Sequence, residues 1–320
     1  MRRLKRRSTG FDPAMGDREL QEAIVHLRDG DWRFVEDLIT RRDDTWLLRT
    51  VLHDPEADIP FGCFVTCKTQ SGSANAVAHL GHALTAEAWR IRGTVYADEV
   101  TETIRNAFLA ALEEAEATLH DAAAMDPSSA EPWVGLMSTA RGLELPRDEI
   151  ERRFVEVHAR DAFRPDACHQ MLQTLCAKWI GSHEEMFDFA EWIRRSSPAD
   201  SPCVDLSAMA HIEYALSGLE PGLDLTAYFC RPRVADDLQS AAQRLLDATS
   251  TRAETHHLQA LNLFLLTVEP IDSTSAHIAR ETIRRIDDRP TAVPWRADGS
   301  RADVRFAQVR DARARAARRF

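Results

Sequence analysis

Lysine, asparagine and tyrosine are almost missing from this chain of 320 residues, each occurring three times, so that 37 of its 40 basic residues are arginine. Glycine is sparse as well, at 13 residues, and is nowhere clustered. No Gly-x-Gly-x-x-Gly, no P-loop and no Gly-x-Ser-x-Gly occurs, which excludes the common nucleotide cradles and the nucleophile elbow. Six cysteines (63, 67, 168, 176, 203 and 230) are too few for a disulfide framework. In a reducing cytosol they are thiols, and Cys168 and Cys176 read as small buried hydrophobes. The most apolar run, Leu261–Val268, is short and contains Asn262 and Thr267. A membrane span needs about 20 apolar residues, so none is expected. The N-terminus has arginine pairs followed by Phe11-Asp12-Pro13 rather than an apolar core. Neither a Sec nor a twin-arginine leader is expected, and a cytoplasmic location follows.

Charge is abundant and uneven. The net charge is −11, yet residues 1–10 carry +5 and residues 301–320 carry +5, leaving −21 for residues 11–300. An acidic body repels nucleic acid and anionic membranes. Nucleic-acid binding through the arginine-rich ends is therefore the weakest of the functional readings. Basic ends are ordinarily solvated tails, or they fold back on an acidic body. Residues 1–11 read as a basic disordered tail, and residues 289–320 as a Pro-rich and then Arg-rich one.

Between the tails the apolar residues recur at steps of three and four, the period of a helix face. Leu20, Ile24 and Leu27 begin the pattern. Val77, Leu80, Leu84 and Trp89 continue it. Phe108, Leu112, Ala115, Leu119 and Ala122 mark a long helix ending at Asp126-Pro127. Punctuation is equally regular. Gly142 suits a helix C-cap, Pro146 opens the next helix above Asp148 and Glu149, and Ser182 with Glu185 forms a capping-box pattern. A helix is expected over 167–180 and a last one over 273–286. Residues 54–73 break the rhythm and read as an irregular loop or a short broken helix. The sequence thus predicts an all-α protein of about a dozen helices, one domain over 12–288, joined by short turns that make neighbours antiparallel.

Pro127, Pro165 and Pro198 recur at spacings of 38 and 33, Trp133 lies six residues after Pro127, and Leu136 follows it. Leu119 and Ala122 occupy the large and small positions of a preceding second helix. Over residues 100–200 the chain resembles a tetratricopeptide repeat array. It departs from that pattern at Leu136-Met137, where Leu-Gly is usual, and at Met171, where the Trp is replaced. The stretches 130–145 and 175–186 are also similar to tetratricopeptide-like actinobacterial proteins of unassigned role. The resemblance implies an α-solenoid of stacked helix pairs in a right-handed superhelix, and brings no reaction with it. It implies too that the first helix of each pair faces a concave groove, which places Glu131, Ser138, Arg141, His169 and Trp179 there. Arg141 in such a groove suits a carboxylate.

The remaining polar clusters form no catalytic motif. His183-Glu184 begins like a zinc-protease helix, but Phe187 stands where the second histidine belongs. His256 and His257 are adjacent and point apart. His211 and Tyr214 share a face, as a simple contact would. The paired acids Glu113-Glu114, Asp236-Asp237 and Asp287-Asp288 suit solvated helices. Cys63, Cys67, His79 and His82 have a donor set that zinc accepts; the plainer reading is buried thiols and surface histidines. The leading expectation is a non-enzymatic scaffold or adaptor that binds a protein or peptide segment in a helical groove, with no cofactor. The alternative is a metal- or small-molecule-binding enzyme or sensor with a site near 60–82. Among the seven tryptophans, Trp179 is expected to be partly exposed and Trp295 to dock the C-terminal tail.

Overall fold

The computed structural model describes residues 11–93, 100–218, 222–249, 254–296 and 301–320. The expected tail at 1–11 lies, but for Phe11, outside the described residues. Among those described there is no strand, and the chain is all-α. It divides into two compact units, residues 18–189 and residues 190–320 with 1–17. The expectation is a single domain over 12–288; Trp295, Phe306 and Ala317, beyond that bound, are buried in the second unit.

The first unit contains α1 (Arg18–Arg28), α2 (Trp32–Arg41), α3 (Thr45–Leu52), α4 (Phe61–Ser71), α5 (Ala74–Arg92), α6 (Glu102–Met125), α7 (Glu131–Gly142), α8 (Arg147–Arg160) and α9 (Pro165–Thr174). The division falls inside α10 (His183–Ser196). Helix α6 is its axis. Thr101 caps it by accepting from the Ile104 amide at 3.4 Å, and Phe108, Leu112, Ala115, Leu119 and Ala122 are buried on one stripe. Helices α5 and α7 both pack on α6. They approach so closely that a Cβ on Gly81 or Gly135 would lie 2.6 or 2.7 Å from the Leu119 side chain. Leu119 therefore fills a slot that only glycine leaves open on either side. Arg153 of α8 ties the layers together, reaching Glu116 of α6 at 2.5 Å and the Leu136 carbonyl of α7 at 2.5 Å.

Two local expectations are corrected. The 54–73 segment is a 3-10 turn over Pro55–Ala57 followed by the full helix α4. Pro60 opens α4 and Gly72, in the left-handed region at φ 61°, closes it with its amide on the Lys68 carbonyl. Thr66 and Thr69 return their hydroxyls to the Gly62 and Val65 carbonyls. End signals and the burial of Phe64 and Cys67 thus override a β-rich composition. Gly142 is not a left-handed cap. It is helical, and its bare Cα admits Leu112, whose Cδ1 would stand 2.5 Å from a Cβ there.

The second unit contains α11 (Leu206–Leu216), α12 (Leu225–Phe229), α13 (Pro232–Ala248), α14 (Leu258–Thr267), α15 (Ser273–Ile286), α16 (Ala292–Trp295) and α17 (Ala302–Ala317). Helix α14 is buried nearly all round and is packed by α11, α13, α15, α16 and α17. Its buried amide, Asn262, donates to the Leu258 and Arg289 carbonyls and accepts from the Trp295 indole at 2.6 Å. Trp295 is fully buried against Phe306 of α17. The C-terminal residues expected as a tail are therefore a docked helix. Arg313 donates to the Leu265 and Leu266 carbonyls at the end of α14 and pairs with Glu269 at 2.6 Å. Arg310 pairs with Asp288 at 3.2 Å. Basic residues near a helix C-terminus meet its unpaired carbonyls and its negative dipole end.

Candidate functional site

Helix α5 carries Trp89 one turn before its end, opposite α6 and α7. The Trp89 indole donates to Ser138 Oγ of α7 at 3.1 Å. One turn further along α7, the Arg141 guanidinium lies 5.4 Å from the Trp89 ring centroid and 5.4 Å from that of Trp179. The two indoles stand at right angles with centroids 6.3 Å apart. Arg141 is thus held between two aromatic rings, a cation–π arrangement. Trp179 reaches this position because α9 stops at Thr174, short of the helix expected to Ile180. The chain then turns tightly, with the Trp179 amide on the Cys176 carbonyl. At Gly181 a Cβ would stand 2.2 Å from the Leu175 carbonyl oxygen, so the turn requires glycine.

Beside these rings is a cavity of about 190 Å³. Trp89, Trp179, Phe108 and Leu109 supply apolar wall, and Arg92, Arg105 and Glu144 supply charge. Ser138 and Arg141 do not line it. They stand behind the wall and fix its two tryptophans. Of the five residues expected in a groove, Ser138, Arg141 and Trp179 are brought together here. His169 is half-buried in α9 and does not line the cavity. Glu131, at the first residue of α7, belongs elsewhere.

Glu131 opens a buried charge network. Its carboxylate pairs with Arg164, whose guanidinium also takes Asp166 at 2.8 and 3.1 Å. Arg49 of α3 joins both acids, lying 2.7 Å from Asp166 and 3.3 Å from Glu131. His82 Nε2 lies 2.9 Å from the Glu131 carboxylate. Burial alone raises a carboxyl pKa. Here Arg164 and His82 outweigh it for Glu131, and Arg164 and Arg49 outweigh it for Asp166, so both acids are held below the carboxylate range, Glu131 far below it. The same acids hold Arg164 charged against its own burial.

His79, one turn before His82 on α5, is 2% exposed. Its Nδ1 meets His53 Nε2 of α3 at 3.2 Å. The ring planes lie within 16° and the centroids are 5.4 Å apart, close to the most that such a nitrogen contact allows, so the rings meet tip to tip. Burial lowers His79 to about 3, lowers His53 well below its ordinary value and lowers His82. These are neutral imidazoles at pH 7. The expectation of surface histidines is thereby corrected, since His79 and His82 are core residues.

The two thiols do not join them. Cys63 Sγ lies 3.7 Å from the Arg28 carbonyl, and burial raises the Cys63 thiol and lifts that of Cys67 to about 11. Among the described residues no group of three or more His, Cys, Asp or Glu side chains is arranged to hold a metal ion. In the second unit His211 bonds Tyr228 at 2.8 Å and Asp237 at 3.2 Å. Tyr228 is 3% exposed, so this chain of hydrogen bonds serves the core.

Arg49, His53, Arg164 and Asp166 were not singled out from sequence, and Trp89 was read only as part of an apolar stripe. Arg49 and His53 are four apart, as His79 and His82 are three apart, which is the spacing of one helix face. That regularity was the available signal. The pairing across 117 residues, from Arg49 to Asp166, left none. Among the described residues no helix is long and apolar enough to cross a membrane. The chain matches no protein-family model, no curated protein and no solved structure.

Proposed function

We propose that the first unit is a non-enzymatic protein-interaction module, built as a tetratricopeptide-like stack of helix pairs. Its ligand is a peptide segment with a large apolar side chain next to a carboxylate. The stacking reading rests on packing order. Helix α5 packs on α6 and α7, and α7 packs on α8 and α9, so alternate helices play the same part along the chain, as in solenoids.

The observation that carries the binding reading is the corner formed by Trp89, Arg141 and Trp179. Large apolar walls give contact area, and rings locked from behind lose little freedom on binding. Arg105 at the rim is exposed and makes no ion pair among the described residues. With Arg92 it outweighs Glu144, so the rim favours an anionic neighbour to the apolar anchor.

The test is selection from a displayed library of random short peptides, followed by fluorescence anisotropy of the enriched sequences. Enrichment of an aromatic or large aliphatic residue beside Asp or Glu is expected. Trp179→Ala should weaken binding about tenfold, the effect of losing about 1.4 kcal/mol, and Arg105→Glu should turn the preference against acidic peptides. No enrichment, or enrichment indifferent to both variants, would overturn the reading.

A further inference from the structure

A second cavity in the first unit, about 300 Å³, shares no wall residue with the Trp89 cavity. Two guanidiniums border it, and the hydrogen bonds of both are largely committed. Arg164 is held by Glu131 and Asp166. Arg160 donates to the Pro127 carbonyl at 2.7 Å and to the Glu156 carboxylate at 2.6 Å. Arg164 Nη1 and Arg160 Nη2 are left over, yet the three carboxylates of the wall, Asp126, Glu131 and Asp161, outnumber its two guanidiniums.

Asp161 contributes a carboxylate whose nearest cation, Arg164, is 3.7 Å away and already shared by two other acids. Asp126, spent on the Ser128 amide and hydroxyl, adds a second negative charge. His79 forms part of the wall although it is 98% buried. Its Nδ1 is engaged by His53, and its Nε2 has no partner among the described residues. The Asn75 amide, also in the wall, makes no hydrogen bond among the described residues.

We propose that this cavity binds a small molecule through a primary ammonium group, received by the Asp161 carboxylate, His79 Nε2 and the Asn75 carbonyl oxygen. An ammonium has three donors and no acceptor, which suits a wall that holds these three acceptors. A carboxylate or phosphate ligand would meet a wall that already has more carboxylates than guanidiniums. A metal ion has no ligand set of three here. The volume is at the small end of ligand sites, which suits a compact guest.

The histidine pair gives the site a second property. Both rings are uncharged, so one proton is shared between His53 Nε2 and His79 Nδ1. An ammonium guest needs His79 Nε2 as an acceptor. It therefore selects the tautomer in which His79 Nδ1 donates to His53. Adopting it moves one proton on each ring, from Nε2 to Nδ1 in both His79 and His53, so two N–H bonds break, two form and neither ring changes charge.

The experiment is calorimetric titration of the full chain with ethanolamine and putrescine, and with ethylene glycol as the uncharged counterpart. Both amines should bind one per chain and ethylene glycol should not. Asp161→Asn should weaken amine binding at least about tenfold, in keeping with the loss of a charge-assisted hydrogen bond, and Arg105→Glu should leave it unchanged. In the complex, the nitrogen resonance of His79 Nε2 should be that of an unprotonated ring nitrogen. Absence of amine binding, equal binding of ethylene glycol, indifference to Asp161→Asn in a variant with native circular dichroism, or a protonated His79 Nε2 in the complex would each overturn the proposal.

Discussion

Arg164 and Glu131 form an ion pair that solvent barely reaches, the guanidinium side chain being 2% exposed and the carboxylate 9%. Arg164 precedes α9 and Glu131 begins α7, so the pair joins two helices that also pack directly. Removing one partner strands the other in the core. Arg164→Met should cost about 3–5 kcal/mol, the usual penalty for an uncompensated buried charge. Glu131→Gln should cost a comparable amount, and the double variant clearly less than the sum. Equilibrium urea unfolding of the three variants checks this. Additive losses would mean the two groups do not act as a pair.

The three buried histidines set an acid limit on stability. His53, His79 and His82 all have folded-state values below the ordinary one, His79 at about 3. The unfolded chain therefore takes up protons from about pH 6.5 downward that the fold refuses. Stability is complete above about pH 6.5 and falls as pH drops, for His79 until about pH 3. Each histidine can contribute a slope of up to about 1.4 kcal/mol per pH unit. Glu131 and Asp166, held low in the fold, steepen the loss below about pH 4. Urea midpoints should fall between pH 7 and pH 5, and His79→Gln should remove one histidine's share of the slope. An unchanged slope in that variant would refute the assignment.

Much of this architecture was legible in the chain because the signals were local. The stripe of α6 and the bounds of α15 follow from apolar period and caps alone. In α15, Asp272 and Ser275 exchange hydrogen bonds in a capping box that announces the start. Helix α4 was illegible because its apolar face is only Phe64 and Cys67, and what makes it helical is Pro60, Gly72 and packing on α5. Trp179 was placed beside Arg141 for the wrong reason. It was counted onto a helix face, yet reaches Arg141 from the turn beyond a helix that ends early. Apart from Arg164 with Asp166, the charge network was illegible because its partners are separated by 33 to 117 residues, and no local rule pairs them.

Glycine offers a sharp contrast between two helices. A Cβ on Gly135 would lie 2.7 Å from Leu119 and 3.0 Å from the His82 ring, whereas one on Gly62 would meet nothing within 4 Å. Both residues are helical and neither has a positive φ. Gly135→Ala should cost about 1–3 kcal/mol through overpacking. Gly62→Ala should gain about 0.5–1 kcal/mol, because alanine loses less backbone entropy in a helix. Thermal and urea unfolding of the two variants side by side would show opposite signs, and equal signs would contradict the packing described for α5, α6 and α7.

The C-terminal helix is held by one arginine more than by its own amphipathicity. Arg313 is buried enough that its pKa is lowered despite Glu269, and burial raises Glu269 in turn despite Arg313. Each is costly alone and tolerable together. Phe306 adds an apolar contact to Trp295, and Arg280 of α15 donates to the Ala317 carbonyl at 2.6 Å. A docked helix protects its arginines from cleavage, since a protease needs extended chain. Treatment of the native protein with an arginine-specific protease should therefore spare residues 305–315. Arg313→Leu leaves Glu269 without its partner and should release the helix, so that cleavage within this segment becomes rapid while the rest of the second unit stays folded by circular dichroism. Equal and rapid cleavage of the native chain would instead mean that the basic segment is a free tail in solution, and that Trp295 is buried without Phe306.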